Sequence, residues 1–238
     1  MTKHVMLNNV DHKDLRIATG HGAHLGDNVM LVPTFPAEFR NLQSYYPIVF
    51  RKGDDGSFEA VALLGFQEGE NLFLDGARWD AAYMPMLHER QPFLIGVSGE
   101  EMMINIDLDH PRVRQGGSEG EAVFLPHGGS SEFLDRANSL LMTIHQHLQA
   151  CRPFMNALVE HELLESFVLD VELSDGSQNR LMGFYAINED KLAKLDDAAV
   201  ARLYRTGYLQ AIYMAVASLS QFRQLIERKN RSHAGRPE

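Results

Sequence analysis

His127-Gly-Gly-Ser-Ser-Glu-Phe-Leu-Asp-Arg-Ala-Asn-Ser-Leu-Leu-Met-Thr-Ile-His-Gln-His-Leu148 is where the hydrophobic pattern of this chain changes period. Phe133, Ala137, Leu140, Leu141, Ile144 and Leu148 recur at three- and four-residue spacing, which places them on one face of a helix. Ser130 or Ser131 offers a side-chain oxygen to cap its first turn. Upstream the apolar residues come instead in short runs punctuated by Gly and Pro, and residues 30–32, 47–51, 58–66, 72–74, 93–97, 102–108 and 122–125 read as strands. Asp54-Asp55-Gly56 is a hairpin turn between two of them. Downstream, Pro153 suits the first turn of a second helix with Phe154, Leu158 and Val159 inward. Residues 167–173 and 180–187 then alternate as a hairpin around Ser174-Asp-Gly-Ser177. Asn188 and Asp196 cap two further helices, and Gly207 ends the second of them. One long final helix carries Leu209, Ile212, Val216, Leu219 and Ile226.

Strands followed by segregated helices make the chain α+β. The expected organisation is a strand-rich subdomain over residues 1–127, with a mixed or antiparallel sheet. A helical subdomain over 128–230 encloses the hairpin 167–187, and a tail over 231–238 frays. A chain of 238 residues is long enough to bury a core without disulfides, and its single cysteine, Cys151, permits none within the molecule. Cys151 falls on an apolar helix face, which favours a packed thiol over a nucleophile. The net charge of −10 argues against a nucleic-acid partner, because phosphate backbones require clustered Lys and Arg. The amino terminus lacks an apolar targeting segment, and the longest uncharged run, residues 206–222, is diluted by Gln and Ser. No membrane span and a cytoplasmic location are therefore expected.

The densest run of specialised side chains is Asp75-Gly-Ala-Arg-Trp-Asp-Ala-Ala-Tyr-Met-Pro-Met-Leu-His-Glu-Arg-Gln-Pro-Phe-Leu-Ile-Gly96, which contains the only tryptophan. Arg78 and Arg90 have the forked geometry that grips a carboxylate or phosphate, and Trp79 and Tyr83 have stacking faces. With His88 they form the candidate ligand-binding set Arg78, Trp79, Tyr83, His88 and Arg90. The competing reading packs the aromatics in the core and pairs the arginines with Asp75, Asp80 and Glu89.

Metal chemistry has weaker support. His12-Lys-Asp14 projects two ligand types to one side of a strand, as a facial iron triad would, but a charged turn explains it as well. His21-Gly-Ala-His24-Leu-Gly-Asp27 lies in a glycine-rich loop, a poor preorganised site. Asp107, Asp109 and His110 read as a solvated strand end, and His145 and His147 point apart on their helix. Neither a serine-nucleophile elbow nor a phosphate-binding loop is present, and no cofactor is expected.

Four stretches of this chain resemble a known family. They are Leu7-Asn-Asn-Val-Asp-His-Lys-Asp-Leu-Arg-Ile17, Glu38-Phe-Arg-Asn-Leu-Gln-Ser-Tyr-Tyr-Pro-Ile-Val-Phe50, residues 75–96 and residues 163–220. In the last, Phe167-Val-Leu-Asp-Val-Glu-Leu173, Leu181-Met-Gly-Phe-Tyr-Ala-Ile-Asn-Glu189 and Gly207-Tyr-Leu-Gln-Ala-Ile-Tyr213 carry the likeness. The family is the SapC-like family of bacterial proteins. The resemblance implies no assigned activity, and it suggests a link to the uptake or modification of an external compound.

The leading expectation is a non-catalytic binding or accessory protein for a small anionic or aromatic compound, or a peptide. One alternative is a non-haem, metal-dependent oxygenase-like or hydrolytic enzyme using His12 and Asp14. A second is an interaction protein that forms a homodimer through its amphipathic carboxy-terminal helix. Gly116–Gly120 reads as a loop of the kind from which a lid is built.

Overall fold

A computed structural model describes residues 3–98 and 101–234. The α+β expectation holds, with antiparallel pairing throughout the named ladders. The chain divides into two compact units, each assembled from separate stretches of sequence. One comprises residues 1–28, 74–79 and 86–146; the other comprises 29–73, 80–85 and 147–238.

The second unit is built on a five-stranded sheet in the order Leu164–Glu172, Gln178–Ile187, Ile48–Lys52, Phe58–Leu63, Leu31–Thr34. Its two tight hairpins share one sequence device, Asp-Gly-Ser. In Asp55-Gly56-Ser57 the Asp55 carboxylate accepts from the Ser57 N–H at 3.0 Å and its hydroxyl at 2.6 Å. In Asp175-Gly176-Ser177 the corresponding distances are 2.9 and 2.6 Å. Both glycines sit at φ +81°, where a side chain would be strained, so the same three residues close both turns. Val49, Phe50, Val61, Ala62 and Leu63 are fully enclosed, as are Phe154, Leu158 and Ile212 from helices of the same unit.

Two other helices of this unit, Glu189–Leu192 and Asp197–Arg205, start where side-chain caps were expected. Asn188 Oδ1 accepts from Lys191 N–H at 2.8 Å, and Asp196 Oδ1 accepts from Ala199 N–H at 2.7 Å. The expected single final helix is two helices, Tyr208–Ser218 and Gln221–Ala234. The cause is Ser218. Its hydroxyl donates to Ala215 O at 2.6 Å and accepts the Ile48 N–H at 2.8 Å, while Leu219 and Ser220 bond only three residues back. Such side-chain competition tightens and ends a helix. The last helix runs to Ala234; Gly235 and Pro237, in the expected tail, lie outside the described residues.

The first unit has smaller sheets. Strand His4–Met6 pairs with Glu101–Asp107, which pairs with Phe93–Ser98. Strand Leu15–Ile17 is flanked by Val113–Gln115 and Glu121–Ala122. A two-residue ladder joins Leu74–Asp75 to Arg78–Trp79. Its apolar cluster is Leu15, Ile17, Phe93, Ile106, Val123, Leu134 and Leu141. The last two come from helix Glu132–Leu148, which Ser131 caps by accepting the Leu134 N–H at 3.2 Å. Among the described residues no helix is long and apolar enough to cross a membrane.

Candidate functional site

The first unit places a carboxylate where a core residue would be expected. Asp27 follows the single-turn helix Ala23–Leu25, and Gly26 between them takes a left-handed φ of +89° that turns the chain inward. The Asp27 side chain has no exposed surface. Its Oδ2 accepts the Gly22 N–H at 2.8 Å. Its Oδ1 lies 2.8 Å from His88 Nε2 and accepts from Arg112 Nη2 at 2.6 Å. An ionised carboxylate can only accept, so His88 carries its proton on Nε2.

Arg112 is buried as well, and its Nη1 donates to Ala18 O at 3.0 Å and Gly20 O at 2.7 Å. It sits there because strand Val113–Gln115 pairs Val113 with Ile17, which brings Arg112 beside Ala18. The guanidinium thus neutralises Asp27 and ties down the loop at once. Burial alone would raise the Asp27 pKa. The hydrogen bonds from His88 and Gly22, with the charge and hydrogen bond of Arg112, outweigh it and hold the carboxyl well below the usual carboxylate range.

Aromatic rings surround this network. Strand alternation turns Trp79 inward and Arg78 outward. The indole packs on His88 with ring centroids 5.0 Å apart and on His21 at 6.1 Å. The His21 side chain is 26 % exposed, yet its Nδ1 is buried without a hydrogen bond, 3.5 Å from Asp27 Oδ2. His110 completes the group. Its Nδ1 accepts the Arg112 N–H at 3.2 Å, so its Nε2 donates to Gln91 Oε1 at 3.3 Å. Burial, and then the Arg112 charge, push the His110 pKa down, which favours the neutral ring.

The five residues singled out from the sequence have different surroundings. Trp79 and His88 are in contact, but the indole is 7 % exposed and does not present an open stacking face. Arg78 is exposed and pairs with Asp75 at 2.9 Å. Arg90 donates to Phe93 O at 2.6 Å, and burial lowers its pKa. Tyr83 belongs to the second unit, where its hydroxyl donates to Glu38 Oε1 at 3.1 Å.

Of the glycine-rich loop motif, His21 and Asp27 come together while His24 is exposed. His12 Nδ1 accepts the Asn8 N–H at 3.1 Å. Among the described residues no group of three or more His, Cys, Asp or Glu is arranged to hold a metal ion. Burial pushes the Cys151 thiol up to about 11, away from thiolate chemistry.

The chief residue that sequence reasoning missed is Arg112. It lies 85 positions from Asp27 and follows His110-Pro111 in no recognisable motif. No curated protein and no solved structure matches this chain. The model of one protein family, described as SapC, matches residues 7–225 of the 238, and the chain belongs to that family.

Proposed function

We propose that this protein is a non-catalytic binding or accessory protein, and that it recognises a small anionic or aromatic compound at His21. The observation that carries the reading is the buried, unbonded His21 Nδ1 beside the Asp27 carboxylate. Buried polar atoms without partners are uncommon and cost free energy, so one at the rim of a charged network is a site waiting to be completed. An anion at the exposed edge of His21 favours the imidazolium, which can then donate through Nδ1 to Asp27. Ligand binding and closure of the 3.5 Å gap would reinforce each other. In this reading His88, Arg112 and Trp79 are supports that fix Asp27 and the ring, and Arg78 is an accessible cation on the same unit.

Titration calorimetry with benzoate and related aromatic carboxylates tests this. Wild-type protein should bind, and His21→Gln should lose at least about tenfold in affinity, the scale of one charge-assisted hydrogen bond. Its thermal midpoint should be nearly unchanged. Equal affinity in the variant would remove His21 from the site, and no heat from any carboxylate would remove the binding role.

A further inference from the structure

The second unit holds a cavity of about 240 Å³, lined among others by Pro36, Arg40, Tyr208, Gln210 and Met214. That is room for about eight waters at ~30 Å³ each, and it falls below the roughly 300–1,000 Å³ of sites for drug-sized ligands. Only a fragment-sized molecule fits. In a chain of net charge −10, none of the lining residues is acidic. Arg40 is the one cation of the lining; it is exposed and makes no ion pair among the described residues. The remaining wall combines apolar side chains, from Pro36, Met214 and alanines, with Thr206, Tyr208 and Gln210. Helix Tyr208–Ser218 opens at the same wall, with no side-chain cap from Gly207.

We infer that this cavity is a second binding site, for a short aliphatic carboxylate. Arg40 would fork to the carboxylate, Gln210 would add a donor, and the alkyl chain would lie against Met214 and Pro36. The site draws on no residue of the His21 cluster, so either can fail without the other.

The test is a titration of butyrate, with butyramide as the neutral isostere, followed by backbone amide NMR on wild type and Arg40→Gln. Butyrate should give saturable shifts confined to residues 36–40 and 206–214, with butyramide silent. Arg40→Gln should weaken binding about tenfold or more at an unchanged thermal midpoint, because Arg40 is exposed. Equal shifts with butyramide, undiminished binding by Arg40→Gln, or the absence of saturable shifts would each overturn the assignment. Shifts only around His21, Trp79 and His88 would overturn it too, while supporting the first site.

Discussion

In the unit built on the five-stranded sheet, Val49, Phe50, Val61 and Leu63 are fully enclosed, and its ion pairs range from exposed ones to the largely buried Lys229–Glu70 pair. Arg228, for example, donates to Asp80 Oδ2 at 2.7 Å and lies 4.4 Å over the Phe73 ring, while Lys229 pairs with Glu70. In the other unit the sheets have only two or three strands, and a buried carboxylate that accepts from Gly22, His88 and Arg112 holds the Gly20–Asp27 loop in place. The apolar sheet core degrades gradually, because area burial is roughly additive and insensitive to pH. The Asp27 network is less tolerant, because removing one partner leaves a buried charge with fewer compensating groups.

The sharpest test compares one substitution from each unit. Arg112→Met should cost about 3–5 kcal/mol by stranding Asp27. Leu63→Ala should cost about 2–5 kcal/mol through lost burial and a cavity. Chemical denaturation of both variants reads the difference, and a loss below about 1 kcal/mol for Arg112→Met would mean that Asp27 is held by its other donors.

Acid should separate the units next. Asp27 binds its proton less readily in the folded chain than in the unfolded one, where its pKa is about 4. Its contribution is therefore complete above that value and drains away as pH falls toward the lower folded pKa. Denaturation at neutral and acid pH should show Asp27→Asn less stable than wild type at neutrality but with a flatter acid limb. Unaltered acid sensitivity would locate the titrating groups elsewhere.

Helix caps should cost less and cost both units alike. Ser131→Ala in one and Asp196→Ala in the other should each lose about 1 kcal/mol. A much larger loss for Ser131→Ala would point to its second bond, the hydroxyl to Ala122 O at 2.6 Å. Arg78→Ala should have the smallest effect, within about 1 kcal/mol in a thermal melt, because both it and Asp75 are exposed.

Local features were legible in the sequence because local chemistry causes them. The caps at Ser131, Asn188 and Asp196, the Asp-Gly turns and the αL Gly207 all act within a few residues. The short strands His4–Met6, Leu15–Ile17 and Val113–Gln115 were not, since three residues carry too little pattern to show a period. The break at Ser218 depends on a backbone group 170 positions away. The site was half visible. Trp79 and His88 stood out by type, and His21 and Asp27 by their loop, yet only the register of strand Val113–Gln115 brings Arg112 to them. Reading 1–127 against 128–230 follows composition, whereas the compact units follow the pairing of distant segments.

The packing of Trp79 on His88 has an optical consequence. The chain has one indole, so its tryptophan emission arises wholly from the unit that contains Asp27. Four of its longer helices, Cys151–Glu160, Asp197–Arg205, Tyr208–Ser218 and Gln221–Ala234, belong to the other unit and should contribute much of the far-ultraviolet dichroism. Two ordinary spectrometers, trained on one cuvette, can thus follow each half of the molecule through the same melt.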